Sequence, residues 1–76
     1  MPTAQPAWVL VRRQAIGLRI RSAREHANLS QEALGQRVGV DNKTIHRIEH
    51  GTSDPSLGLL IQIADALNVP FSKLVE

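Results

Sequence analysis

Apolar side chains recur along the chain at the intervals of amphipathic helices. In residues 14–27 the apolar positions are Ile16, Ile20, Ala23 and Ala27. In residues 57–67 they are Leu57, Leu60, Ile61, Ala64 and Leu67. Steps of three and four residues place each set along one helix face, so both stretches are predicted to be helices with one side toward a core.

Capping residues divide the stretch between these helices into two shorter ones. Ser30 suits the N-cap of a helix over residues 31–38, and Asp41 suits the N-cap of a helix over residues 42–50. Their side chains can accept hydrogen bonds from the first free backbone N–H groups. A glycine follows each helix, and glycine readily adopts the left-handed conformation that ends one.

The remaining pattern completes an all-α fold. Ser56 follows the turn-forming Asp54-Pro55 and is predicted to cap the helix that ends near Asn68. Pro70 then begins a short helix over residues 71–75. We therefore expect a domain of five helices and no strands over residues 14–76.

Residues 1–13 are predicted to form an N-terminal extension of this domain. Pro2 and Pro6 disfavour a helix at the very start, but Trp8 opens an apolar cluster that a disordered tail would not ordinarily keep. The first helix could begin as early as Pro6. Two interpretations of Trp8 stay open, since it could cover the core or contact a second subunit.

Composition excludes several classes of protein. A chain of 76 residues without cysteine uses neither disulfides nor thiolate metal ligands, which predicts one small cytoplasmic domain stabilised by helix packing or by a partner subunit. Two aromatic residues, Trp8 and Phe71, are too few for a β-sandwich or an aromatic RNA-binding platform. No apolar run approaches the roughly 18 residues that cross a bilayer, so no membrane partner is expected.

Charge is distributed unevenly along the chain. Residues 1–40 hold six arginines against two glutamates, a net charge of +4, whereas residues 41–76 hold three cations against five anions, a net charge of −2. Such polarity favours an anionic partner at one face of the molecule.

The two short central helices have the spacing of a helix-turn-helix. Counted from Gln31, apolar residues stand fourth, eighth, tenth, fifteenth and eighteenth, with a glycine fifth and ninth. The apolar residues fasten both helices to a core. A side chain larger than alanine at Gly35 would push the helices apart, and the turn at Gly39 needs a conformation that glycine accepts freely.

The outward face of the helix over residues 42–50 is cationic and rich in hydrogen-bond donors, which suits the DNA major groove. Residues predicted to contact bases are Asn42, Lys43, Thr44, His46 and Arg47. Gln31 begins the preceding helix and should meet a phosphate at its free N–H groups. The other residues predicted to contact phosphates are Ser30, His50 and Thr52.

With these motifs the chain resembles the Xre/Cro family of phage-repressor-like helix-turn-helix domains. The resemblance covers about residues 16–75 and implies a five-helix, lambda-repressor-like fold, sequence-specific binding of double-stranded DNA, regulation of transcription, most simply repression, and a homodimer. It also implies an ion pair between Arg24 and Glu49. The residues predicted for the dimer interface are Leu59, Val69, Phe71 and Trp8.

Three positions depart from the family pattern. Ala23 stands where a larger aliphatic residue is usual, Gly58 replaces an acidic residue, and Leu59 replaces a polar one. The first bears on core packing, and the other two favour a protein interface.

Two rival functions are open to the same residues. His46, Glu49 and His50 form an H-x-x-E-H signature of zinc peptidases, but a catalytic zinc needs a third protein ligand, and His26 is the only other histidine. Accidental zinc or nickel binding is expected rather than catalysis, and we predict neither an enzyme nor a cofactor. The stronger rival is an antitoxin or accessory module that uses the helix-turn-helix as a scaffold for an unknown protein partner.

Overall fold

The computed structural model describes residues 5–76. Within that range the chain forms five α-helices and no strand, which confirms the predicted all-α fold. The helices are α1 (Ala7–His26), α2 (Gln31–Val38), α3 (Asn42–Glu49), α4 (Leu57–Ala66) and α5 (Phe71–Val75). Pro2 and the first part of the predicted extension lie outside the described residues.

Side-chain caps begin the three middle helices, as the sequence predicts. Ser30 Oγ accepts from the Ala33 N–H at 2.9 Å, and Ser56 Oγ accepts from the Leu59 N–H at 3.1 Å. Asp41 Oδ1 accepts from the backbone N–H of the third residue of α3 at 2.8 Å. These bonds satisfy N–H groups that have no partner within their own helix.

One fully buried side chain from each helix forms the centre of the core. These five residues are Ile20, Leu34, Ile45, Ile63 and Leu74. Helices of five to ten residues are unstable alone in water, so α2 to α5 depend on this shared packing.

The buried face of α4 differs from the predicted one. Leu57 and Ile61 are 63% and 50% exposed, while Ile63 and Ala64 are buried. The helix also ends at Ala66, earlier than predicted. The prediction that Leu57 and Ile61 face the core is therefore wrong, and α4 presents an apolar strip to solvent.

The N-terminal half of α1 also corrects the sequence analysis. The helix begins at Ala7 and runs without a break to His26, so residues 7–13 continue the first helix. Trp8 is 63% exposed, and its interpretation as a cover for the core is wrong. Ala27, predicted to lie on the core face, is the exposed C-cap residue. None of the described helices has the length and hydropathy that would cross a membrane.

Candidate nucleic-acid interface

A tight turn sets the position of α3 relative to α2. Gly39 has φ 79°, and the Val40 N–H donates to the Gly35 carbonyl at 2.9 Å. A Cβ atom added to Gly35 would lie 2.5 Å from the Val40 carbonyl oxygen. Glycine at both positions therefore lets the second helix start close against the first.

The exposed side of α3 lies opposite its buried isoleucines. Ile45 and Ile48 are 0% and 4% exposed, whereas the side chains predicted to contact bases lie on the solvent side, with Thr44 half-buried. Five predicted DNA-contacting residues line one concave surface of about 260 Å³. They are Gln31, Asn42, Lys43, His46 and Arg47.

Thr44 lies beside this concave surface and takes part in the N-cap of α3. Its hydroxyl donates to Asp41 Oδ1 at 2.6 Å. The side-chain hydrogen bond from Thr44, followed by the backbone one, lowers the pKa of Asp41. A carboxyl group whose pKa is lowered by folding stabilises the fold at neutral pH, and this stabilisation is lost as the pH falls through the lowered pKa.

The remaining residues predicted to contact phosphates lie outside the concave surface. Ser30 is exposed beside Gln31 at the start of α2. His50 and Thr52 lie at the C-terminal end of α3. There, Thr52 Oγ1 donates to the Arg47 carbonyl at 3.3 Å. His50 Nδ1 lies 2.8 Å from the His46 carbonyl, and the two imidazole rings are 4.1 Å apart.

A buried ion pair ties α3 to α1. Glu49 has a side chain with no exposed surface, and Arg24 is 11% exposed. Arg24 Nε donates to Glu49 Oε2 at 2.6 Å, and Nη2 donates to Oε1 at 3.1 Å. The remaining amine, Nη1, donates to the Leu29 carbonyl at 2.8 Å. The hydrogen bond to Glu49 raises the pKa of Arg24, so the guanidinium keeps its charge.

Gln31 joins this ion pair to the concave surface. Its Nε2 donates one hydrogen to Glu49 Oε1 at 3.1 Å, and the second amide hydrogen remains for a ligand. From the sequence, Gln31 is predicted only to contact a phosphate. In the structure it also satisfies a buried carboxylate, so its position is fixed by the core.

The glutamate of the H-x-x-E-H signature belongs to this ion pair. Glu49 is buried and bonded to Arg24 and Gln31, whereas His46 and His50 are exposed. Among residues 5–76, no group of three histidine, aspartate or glutamate side chains is placed to hold a metal ion.

Gly17 positions α3 in a way that the sequence analysis missed. A Cβ atom at Gly17 would lie 2.6 Å from the Ile48 carbonyl oxygen and 2.7 Å from the Glu49 carbonyl carbon, and still closer to the Glu49 oxygen. The backbones of α1 and α3 therefore touch at this point. The one available signal was a glycine inside a long helix, where it would otherwise only lower stability.

The residues predicted for a dimer interface fall into two groups. Leu59, Val69 and Phe71 are partly buried against the core, and Trp8 is exposed at the far end of α1. The four do not form one exposed patch. The apolar strip that α4 does expose consists of Leu57 and Ile61.

Comparison with known proteins identifies the family. A helix-turn-helix family model matches residues 20–74. The chain belongs to this family. The resemblance to Xre/Cro-type domains is thereby confirmed, and the matched residues of this helix-turn-helix chain include α2, α3 and α4 in full.

The relatives include regulators from bacteria and archaea. The chain is 43% identical over 61 residues to an uncharacterized HTH-type transcriptional regulator of Sinorhizobium fredii, with 80% of this chain and 43% of the relative covered. It is 48% identical over 48 residues to an uncharacterized HTH-type transcriptional regulator of Methanothermobacter thermautotrophicus, with 63% of this chain and 70% of the relative covered. The chain spans less than half the length of the first of these relatives.

A solved structure has the same arrangement of helices. The restriction-modification controller protein C.AhdI from Aeromonas hydrophila superposes with a TM-score of 0.82 at 29% identity, covering 86% of this chain and 94% of that one. The five-helix fold is therefore one that helix-turn-helix proteins adopt.

Proposed function

We propose that this chain binds double-stranded DNA as a sequence-specific regulator of transcription and places α3 in the major groove. The observation that carries the proposal is the concave surface lined by Gln31, Asn42, Lys43, His46 and Arg47. It combines two cations with amide and imidazole donors, the groups that read guanine and adenine in the major groove.

No acidic side chain lines this surface, although the described part of the chain holds seven carboxylate side chains. Two acidic residues adjoin the surface in sequence. Asp41 is occupied by the N-cap of α3, and Glu32, next to Gln31, is exposed on α2 but does not line the surface. A phosphate approaching α2 and α3 therefore meets donors and cations. A homodimer bound across a promoter would block access of other proteins to that DNA, so repression is the simplest outcome. The chain would act in the cytoplasm.

The first test is selection of bound sequences from random DNA duplexes by the purified protein. We expect enrichment of a pseudo-palindrome with half-sites about 10 base pairs apart. Affinity for the selected site should fall by about 0.9 log unit per phosphate contact for each tenfold increase in salt. An accessory module that binds a protein through apolar contacts would enrich no sequence and would respond little to salt.

Arg47→Ala should weaken binding to the selected site by about 1 to 3 kcal/mol and relax the preference at one or two base pairs. The matched control is Arg21→Ala, which removes the same charge from an exposed position on α1, a helix that contributes no residue to the concave surface. Its effect should be small and equal on selected and scrambled DNA. Equal losses on both DNAs for Arg47→Ala would make Arg47 a phosphate contact instead.

We further propose that the DNA-bound form is a homodimer whose interface includes Leu57 and Ile61. These two side chains lie one turn apart on α4 and are 63% and 50% exposed. A second copy would remove this apolar strip from water.

The dimer proposal predicts that Leu57→Ser together with Ile61→Ser shifts the protein to monomer in sedimentation equilibrium and lowers affinity for the full palindrome. Leu18→Ser is the control, since Leu18 is equally exposed, at 62%, but lies on α1. A wild-type protein that sediments as a monomer both free and on the palindrome would reject the interface.

A further inference from the structure

A row of exposed apolar side chains follows the outer side of α1. Trp8, Val11 and Leu18 are 63%, 63% and 62% exposed, and Ala15 is half-buried. We call these four residues the outer seam of α1. They lie directly opposite Ile20 and Gly17, which are buried against the rest of the domain.

The spacing of the outer seam is that of a coiled coil. Its members are separated by three, four and three residues, the a and d positions of a heptad pattern. At 1.5 Å per residue, the seam is about 15 Å long. Such a narrow stripe fits the ridge of another helix, whereas an interfacial membrane helix needs a broad apolar face.

Arginines line both edges of the outer seam. Arg12 and Arg19 lie along one edge, and neither has an ion-pair partner among residues 5–76. Arg21 lies along the other edge, 3.5 Å from Glu25. Next to Arg19, a groove of about 510 Å³ between α1 and α5 adds Lys73 to the same cationic side.

A second copy of the chain is a poor occupant of this surface. Two outer seams packed antiparallel would bring Arg12 and Arg19 of one copy against the same arginines of the other. Like charges at the edges of a helix pair select against this antiparallel pairing. Parallel packing would set Gln14 against Arg19 and Arg21 against His26, so it would give neither arginine an acidic partner.

We propose that the outer seam of α1 binds an amphipathic α-helix of a partner protein, with aliphatic residues at its own a and d positions and glutamate or aspartate along the edge that faces Arg12 and Arg19. The heptad spacing of the outer seam favours a helical partner, and the unpaired Arg12 and Arg19 favour a partner with acidic residues along its edge. This surface is separate from the concave surface on α3, so the inference does not depend on DNA binding.

The test uses Trp8 as a reporter, since it is the only tryptophan in the chain. The probe is a synthetic helical peptide of about three heptads with leucine at a and d and glutamate at the flanking positions. A matched peptide carries lysine in place of glutamate. Titration of the glutamate peptide should shift Trp8 emission to the blue with saturation, and the lysine peptide should bind on the order of tenfold more weakly.

Variants separate the two parts of the proposal. Leu18→Ser should reduce binding of the glutamate peptide, whereas Val75→Ser, at an exposed aliphatic residue on α5, should leave it unchanged. Arg12→Glu with Arg19→Glu should reverse the preference toward the lysine peptide. Arg12→Glu alone provides the same test, at smaller effect, if the double variant loses its helical circular dichroism.

Three results would overturn the proposal. One is an unchanged Trp8 spectrum with both peptides, and another is equal affinity for the two. The third is a blue shift with vesicles of anionic phospholipid and none with the glutamate peptide, which would make the seam a membrane-binding surface.

Discussion

Arg24→Ala should lower the free energy of unfolding by about 3 to 5 kcal/mol. The substitution leaves the Glu49 carboxylate, which has no exposed surface, with only the Gln31 amide as a side-chain partner. It also removes the donor to the Leu29 carbonyl in the turn before α2. A domain of 76 residues rarely obtains more than about 3 to 5 kcal/mol from a single hydrophobic core, so a loss of this size should leave much of the protein unfolded at 37 °C.

Urea unfolding followed by circular dichroism measures this loss. Arg21→Ala is the matched control, because Arg21 and Glu25 also form an ion pair but are 51% and 57% exposed. Exposed pairs contribute about 0 to 1 kcal/mol, so this variant should behave almost as wild type. Equal unfolding midpoints for the two alanine variants would show that burial of Glu49 does not matter.

The helices and their caps could be predicted from the sequence because their signals are local. Ser30 and Asp41 each accept a hydrogen bond from an N–H three residues on. Gly39 adopts the left-handed conformation because glycine has no Cβ atom to oppose it. The cationic side of α3 follows from the helix periodicity once Ile45 and Ile48 are assigned to the core.

The buried face of α4 could not be predicted in the same way. Its sequence is apolar at nearly every position, so more than one helical stripe can be drawn through it. Leu57 and Ile61 are four residues apart, the spacing of one helix face, yet both are exposed. The face that contains Ile63 and Ala64 is the buried one. Packing against α2 and α5 decides between them, and that information is not local.

The same limit applies to Trp8 and to Gln31. An aromatic residue near a chain terminus gives no sign of the side to which its helix turns it, and Trp8 is turned to solvent. The bond from Gln31 to Glu49 joins residues 18 positions apart in sequence, on different helices. The exposure of Trp8 depends on how α1 packs on the domain, and the bond from Gln31 depends on how α2 and α3 are placed. Gly17 is the residue at which α1 and α3 touch.

Gly17→Ala should destabilise the domain by about 3 kcal/mol, at the upper end of overpacking effects, although alanine favours a helix. The added methyl group meets the backbone of Ile48 and Glu49, which cannot move aside as the end of a flexible side chain can. Gly58→Ala is the control. Its Cβ has only Ser56 Oγ nearby, at 4.0 Å, so it should gain about 0.5 kcal/mol from helix propensity.

Thermal unfolding of the two glycine variants distinguishes a close approach of helices from a general effect of losing glycine. If Gly17→Ala folds at low temperature, α3 must move away from α1, and the hydrogen bonds between Arg24 and Glu49 must lengthen. Gln31 would then lose its fixed position beside the concave surface. Affinity for the selected DNA should therefore fall in the folded Gly17→Ala protein and stay unchanged in Gly58→Ala. A Gly17→Ala variant as stable as wild type would show that the two backbones can separate without loss.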